Sequence, residues 1–219
     1  MPDTTSLTVL IAGAHGQIAR LLGALLTGDG HAVRGLIRNP DHADDLEAIG
    51  VTPVLHDLEG DDDGLVEALR GADAVVFAAG AGPGSGPERK ATMDRDGAIK
   101  LIEACREAGV GRYVIVSAMG ARPGAERSGP MRVYLEAKAA ADAALAASGL
   151  DYTIVRPGAL TDEPAAERVT VAPELPRGSI PRADVARVLL AALTAPHTIG
   201  RAFDLVGGTT PISAALAEL

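Results

Sequence analysis

Leu7-Thr8-Val9-Leu10-Ile11-Ala12-Gly13-Ala14-His15-Gly16-Gln17-Ile18-Ala19 is the stretch that decides the fold. An apolar strand over 7–12 runs into a glycine turn and then into an amphipathic helix that the pattern carries to about Leu26. Gly13 lets the backbone bend sharply off the strand, Gly16 lets an anion approach the main chain, and Ala19 lets helix and sheet pack closely. The helix that opens there presents unpaired N–H groups and the positive end of its dipole. In a chain with 26 glycines the spacing alone also fits an ordinary strand-to-helix turn. A second apolar strand over 31–37 supplies the βαβ context, and in that context the bend predicts the binding of a dinucleotide pyrophosphate.

The end of the second strand selects between dinucleotides. An NAD site places Asp or Glu there to accept from the ribose 2′-hydroxyl. Here the chain reads Gly35-Leu36-Ile37-Arg38-Asn39-Pro40, with a guanidinium where the carboxylate would stand. Arg38 can pair bidentately with a 2′-phosphate, which points to NADP rather than NAD. Only three of the 20 basic residues are lysine, so a solvated arginine entering a loop is the alternative.

Composition sets the outer bounds. A chain of 219 residues, 47% hydrophobic and 22% charged, suits one soluble α/β domain over 1–219. The net charge of −9, with both signs scattered, argues against nucleic-acid and anionic-membrane partners. No secretory signal or long apolar run is visible, so a cytoplasmic protein is expected, a monomer or weak homodimer whose partner is a small-molecule substrate. Cys105 sits in a helical pattern as a small core residue. His15, His31, His42, His56 and His197 lack ligand spacing, so no metal is expected. The five aromatic residues leave little to stack on a planar ligand.

Strand and helix signals alternate along the whole chain, which predicts a Rossmann-like doubly wound parallel sheet with helices on both faces. Strands are expected over 7–12, 31–37, 52–56, 74–79, 113–117 and 151–156, then near 168–172 and 202–206. Helices are expected over 41–49, 63–69, 88–108, 131–148 and 182–193, with a last one after Pro211. Loops fill 80–87 and 118–130, and residues 158–180 form a small substrate-side region. In such a sheet the ligand crevice lies at the carboxyl ends of the strands. Gly13, Arg38, Asp57, Ala79, Ser117 and Pro157 all fall there.

Tyr134-Leu135-Glu136-Ala137-Lys138 carries the chemistry. Four residues along a helix put both side chains on one face. An ammonium beside a phenol favours the phenolate, so Lys138 is expected to bring Tyr134 down toward neutrality for proton exchange with a substrate oxygen. Ser117, at the end of the preceding strand, can hold that oxygen. The alternative is a surface i,i+4 pair.

Taken together, Gly13-x-x-Gly16-x-x-Ala19, Val116-Ser117-Ala118, Tyr134-x-x-x-Lys138, Val155-Arg156-Pro157-Gly158 and Pro181-Arg182-Ala183-Asp184-Val185-Ala186 resemble the short-chain dehydrogenase/reductase superfamily. More narrowly, the chain is similar to its small atypical members, described as NAD(P)-binding or epimerase/dehydratase-like proteins. The resemblance implies that the backbone of Ala14, His15, Gly16, Gln17 and Ile18 holds the pyrophosphate and Arg38 the 2′-phosphate. It implies that Asp57 and Leu58 contact adenine, that Ala78, Ala79 and Gly80 line the ribose, and that Pro157 and Gly158 flank the nicotinamide. Tyr134 becomes the acid/base, Lys138 binds the nicotinamide ribose, and Ser117 supports the reacting carbonyl. Extended members use an asparagine on the fourth helix as a proton relay, and the matching residue here is Asp94. The C-terminal region is also short for a nucleotide-sugar. The implied function is an NADP-dependent oxidoreductase or epimerase-like enzyme acting on a small carbonyl or hydroxyl compound. A non-enzymatic sensor similar to NmrA-like proteins and a flavin or quinone reductase are the alternatives.

Overall fold

A computed structural model describes residues 6–61, 64–82, 85–122 and 131–219. Asp63 of the helix expected over 63–69, residues 83–84 of the loop over 80–87, and residues 123–130 of the loop over 118–130 lie outside the described residues.

A nine-stranded sheet organises the chain in the order β11-β8-β10-β6-β5-β4-β1-β2-β3. Its parallel body comprises β1 (Thr8–Ala12), β2 (Ala32–Ile37), β3 (Thr52–Leu55), β4 (Ala74–Phe77), β5 (Arg112–Val116), β6 (Asp151–Pro157) and β10 (Arg201–Gly207). Strand β8 (Arg168–Ala172) runs antiparallel to β10, and β11 (Thr210–Pro211) pairs antiparallel with β8. The expected sheet is therefore right in class and incomplete at one edge. β11 and a separate parallel pair, β7 (Ala159–Thr161) with β9 (Ser179–Pro181), are too short to leave a periodicity in sequence.

Both faces of the sheet are covered, and successive strand residues divide between them. In β1, Val9 and Ile11 join one apolar cluster while Leu10 and Ala12 join the other. Ala74 and Val76 of β4 face the first side, and Val75 and Phe77 the second. Helices α1 (Gln17–Gly28), α7 (Arg182–Thr194) and α8 (Ile212–Ala217) close the first face through Leu22, Leu26, Val185, Leu189 and Leu216. Helices α3 (Leu65–Leu69), α5 (Ala98–Ala108) and α6 (Arg132–Ala146) close the second through Leu65, Leu69, Leu101, Cys105 and Leu145. Two-sided burial is why these strands read as continuous apolar runs rather than alternating ones.

Two remaining elements bear on the site. A short turn at Pro40–His42 leads into α2 (Ala43–Glu47) after β2. Between α4 (Pro87–Arg89) and α5, residues Lys90–Gly97 wind as a π-helix whose buried side carries Met93, Asp94 and Gly97. π-Helical turns are rare and concentrate at functional sites. No described helix is long and apolar enough to cross a membrane.

Candidate functional site

Strand β1 has β2 on one side and β4 on the other, so strand order reverses between β1 and β4. The glycine bend emerges at that switch point, where open α/β sheets bind ligands. Gly13 adopts φ +75°, and a Cβ there would stand 2.6 Å from the Cα of Ala79, just past β4. No larger residue satisfies both the backbone and the packing.

The amides of the bend are not equally available. Ala14 N–H donates to Leu36 O (3.1 Å) and Gly16 N–H to Gly13 O (2.9 Å). The cradle expected over Ala14 to Ile18 is thereby narrowed to the amides of His15, Gln17 and Ile18. The amides of Gln17 and Ile18, in the first turn of α1, have no intrahelical acceptor. Gly16 at the N-cap makes no side-chain cap, and no acidic residue stands in the first turn of α1. Donors at a positive dipole end, with no acidic residue in that turn, fit a pyrophosphate.

Just past the end of β2, Arg38 has its side chain half exposed and a guanidinium nitrogen 3.4 Å from Glu59 Oε2. Glu59 also accepts from Arg89 Nε (3.2 Å) and Thr92 Oγ1 (2.6 Å). Asp57 Oδ1 accepts from Glu59 N–H (3.0 Å), closing an Asx turn. The Leu58 side chain is buried in the core, so its backbone is what it can offer a base. Ala78 N–H donates to Ala12 O (3.0 Å), tying the end of β4 to β1. A Cβ on Gly80 would come 3.1 Å from Asp94 Oδ1.

The Tyr134 and Lys138 region differs from expectation in its electrostatics. Lys138 is 3% exposed, which excludes a surface i,i+4 pair. Its Nζ lies 3.1 Å from Asp94 Oδ1 and donates to the carbonyl oxygens of Val116 (3.2 Å) and Ala79 (3.4 Å). Three acceptors thus surround an ammonium that also sits 5.5 Å from the Phe77 ring and 6.0 Å from the Tyr134 ring. Asp94 is fully buried, and its Oδ2 accepts from Ala81 N–H (3.3 Å).

With its charge balanced by Asp94, Lys138 does not acidify the phenol. Burial, reinforced by the charges of Asp94 and Asp142, pushes the Tyr134 hydroxyl above the ordinary tyrosine value. The expected shift toward neutrality is therefore corrected in sign: desolvation and two carboxylates outweigh one compensated ammonium. Tyr134 is a neutral phenol at physiological pH.

A second buried charge pair adjoins it. Arg156 of β6 donates from Nε to Asp142 Oδ2 (2.9 Å), with both residues buried. Burial raises the Asp142 carboxyl above the usual range, partly offset by Arg156, Ser117 and Lys138. Ser117 is buried and faces Asp142. At the end of β6, Met119 N–H donates to Pro157 O (3.0 Å) and Gly158 N–H to Leu205 O (2.9 Å). Beyond them opens a cleft of about 600 Å³, lined by Thr170, Arg177, Ser179, Asp184 and Val206.

Sequence reasoning missed Asp142, Glu59 and the environment of Arg156. Two signals were present: Asp142 continues the spacing Tyr134, Lys138 by four more residues, and Arg156 is a charge inside an otherwise apolar central strand. Glu59 left no signal, because its partners, Arg38 on one side and Arg89 with Thr92 on the other, lie 21 or more residues away along the chain.

A family model described as NAD(P)H-binding matches residues 13–196. The chain is 42% identical over 212 residues to the uncharacterized sugar epimerase YhfK of Bacillus subtilis, covering 96% of this chain and 99% of that protein. A Bacillus halodurans structure, provisionally named an NAD-dependent epimerase/dehydratase, superposes with TM-score 0.92 at 39% identity, covering 98% of this chain and 100% of that one. The oxidoreductase YlbE of Lactococcus lactis superposes with TM-score 0.85 at 26% identity, covering 97% and 96%.

Proposed function

This chain belongs to the NAD(P)H-binding family, among NAD(P)-dependent enzymes of the epimerase and oxidoreductase type, and on that footing we propose that it prefers NADP and acts on a small carbonyl or hydroxyl compound. The observation that carries the cofactor preference is Arg38, a half-exposed guanidinium at the end of β2 where an NAD site keeps a carboxylate.

When bound, the nicotinamide supplies the hydride chemistry. The amides of His15, Gln17 and Ile18 would hold the pyrophosphate, Arg38 would meet the 2′-phosphate, and Pro157 and Gly158 would flank the nicotinamide. Asp57, Leu58, Ala78, Ala79 and Gly80 border the adenosine half. Tyr134, neutral in its resting state, donates a hydrogen bond and then a proton to the substrate oxygen, with Ser117 steadying that oxygen. Asp94 and Lys138 fix the end of β4 and set the field at the phenol. The short 158–180 region suits a small substrate.

Calorimetric titration tests the cofactor assignment. NADPH is expected to bind about tenfold more tightly than NADH, the order of one charge-assisted contact. Arg38→Ala removes the difference, and equal affinities in the unmodified protein overturn the assignment.

The enclosure of Lys138 Nζ by Asp94, Val116 O and Ala79 O, which leaves the buried phenol without an uncompensated cation, supports a second reading, hydride transfer to an acceptor that needs no tyrosine proton, as in a flavin or quinone reductase. Steady NADPH oxidation across a carbonyl panel, abolished by Tyr134→Phe, supports the first. A rate within a few fold of the unmodified protein supports the second.

A further inference from the structure

Ser117 and Arg156 stand side by side at the ends of neighbouring strands. Val116 of β5 pairs with Val155 of β6, and Ser117 N–H donates to Val155 O (2.8 Å), so the next residue of each strand lies level with the other. Ile115 and Ile154 belong to the apolar cluster that α6 closes, and strand alternation turns Ser117 and Arg156 to that same face. Tyr134, Lys138 and Asp142 follow one another at intervals of four on α6 and so share one stripe. Arg156 Nε holds Asp142 Oδ2 at 2.9 Å. The rest of the cluster is incomplete: Asp142 Oδ1 and Ser117 Oγ are both buried, and neither has a partner at hydrogen-bond geometry among the described residues.

We propose that Asp142 is a positioning residue that sets the direction of the Ser117 proton. As a carboxylate it draws that proton to Oδ1 and leaves Oγ to a substrate as an acceptor, and as a carboxylic acid it donates to Oγ and frees the Ser117 proton for a substrate carbonyl. The consequence for substrate rests on the oxidoreductase reading above, whereas the exchange between the two side chains does not.

Proton counting carries the step. A hydroxyl has one proton to donate and two lone pairs with which to accept. While Asp142 is ionised, the single Ser117 proton is committed to it, and Oγ can receive only from a donor such as a substrate hydroxyl. When Asp142 takes a proton from solvent, its own O–H occupies one lone pair of Oγ and the Ser117 O–H turns outward. No bond between heavy atoms is made or broken.

The groups facing Asp142 are Arg156 from β6, Ser117 from β5, and Lys138 and Tyr134 further back along α6, with Asp94 of the π-helical segment answering Lys138. Burial raises the carboxyl, and Arg156, Ser117 and Lys138 offset part of that rise, so the acid form persists to higher pH than in an exposed aspartate. Lowering the pH therefore turns Ser117 into a donor and favours a carbonyl, and raising it favours a hydroxyl.

The test begins without cofactor or substrate. Infrared titration of the full chain follows the carboxyl stretch of Asp142, assigned by its loss in Asp142→Asn or, where Arg156 left alone unfolds that variant, in Asp142→Asn/Arg156→Met. Because Ser117 donates to the charged form, Ser117→Ala is expected to raise the Asp142 midpoint by about one pH unit, the order of one hydrogen bond to a charged group. An unmoved or lowered midpoint overturns the proposal.

The second readout is kcat/KM for reduction of a panel of small aldehydes and ketones by NADPH at about pH 5.5 and about pH 8. The ratio of the unmodified protein to Ser117→Ala is expected to fall about tenfold across that range, and a constant ratio overturns the proposed control by Asp142. Absence of turnover with every carbonyl counts against the oxidoreductase reading, and the infrared midpoint then still decides whether Ser117 and Asp142 exchange a hydrogen bond.

Discussion

Lys138 Nζ and Asp94 Oδ1 lie 3.1 Å apart with both side chains sealed from solvent. Asp94 reaches that position from the π-helical segment Lys90–Gly97, and Lys138 from the middle of α6. The pair pins the fourth helical run to the tyrosine helix beneath the ends of β4 and β5, where Ala79 O and Val116 O complete the shell of the ammonium.

Breaking the pair from one side leaves a buried charge alone. Asp94→Asn and Lys138→Ala are each expected to cost about 3–5 kcal/mol, whereas the double variant Asp94→Asn/Lys138→Met recovers most of that loss. Urea unfolding of the three proteins checks this, and additive losses in the double variant would count against it.

Asp94 also raises the phenol beside it, so removing its charge lowers the Tyr134 titration. Ultraviolet titration of Asp94→Asn, with Tyr134→Phe in the same background subtracted, is expected to show tyrosinate at lower pH than in the parent protein. No movement would mean that burial alone sets the phenol.

Two glycines with left-handed backbones separate conformation from packing. At Gly13 a Cβ would meet the Ala79 backbone at 2.6 Å, while at Gly30, φ +85°, nothing lies within 4 Å. Gly30→Ala is expected to cost about 1 kcal/mol through its backbone alone. Gly13→Ala is expected to cost several times as much and to abolish NADPH binding. Chemical denaturation with parallel cofactor titration distinguishes the two, and similar losses would show that the close approach to Ala79 is unimportant.

Glu59 Oε2 lies 3.4 Å from an Arg38 guanidinium nitrogen, so under the proposed NADP preference it would compete with the 2′-phosphate for that charge. Glu59→Gln is expected to tighten NADPH binding about two- to fivefold, within the range of a partly exposed ion pair, and to change NADH binding less. The gain shrinks as salt is raised. Weaker NADPH binding in this variant would assign Glu59 to a ribose hydroxyl instead.

Alkali is expected to destabilise the fold. Burial pushes the Cys105 thiol up to about 12 and raises Tyr113 and Tyr134 above the ordinary tyrosine value. Each of these groups keeps its proton in the folded state after the unfolded chain has lost it. Stability therefore falls as pH rises from about 9 for the thiol and about 10 for the phenols, by about 1.4 kcal/mol per pH unit for each group. Urea midpoints between these pH values and pH 11 measure the slope, and Cys105→Ala should make it shallower. A flat profile would show that these side chains reach solvent.

The local features of the candidate site were legible because they depend on neighbouring residues. Gly13 and Gly16 mark a bend off a strand, Arg38 stands at a strand end, and Tyr134 with Lys138 share one helix face. The acidity of Tyr134 was not legible. It depends on Asp94 and Asp142, which the sequence places 40 residues before and eight residues after it, and on the depth at which the helix is buried. Likewise nothing in the spacing of His15 and His42 announces a stacked pair, since the contact requires β1 and β2 to be neighbours in register, with Ala12 opposite Leu36.

The sequence by itself determined the strand and helix alternation, the parallel sheet with two covered faces, and the glycine turn at its first strand end, because hydrophobic period and backbone freedom are properties of neighbouring residues. Only the tertiary structure decided which amides of the bend remain free, which charge Lys138 answers to, and that β8 turns back antiparallel beside β10. Those outcomes arise from long-range packing and from electrostatics in a desolvated interior, where the partner of a charge is set by topology and not by its position along the chain.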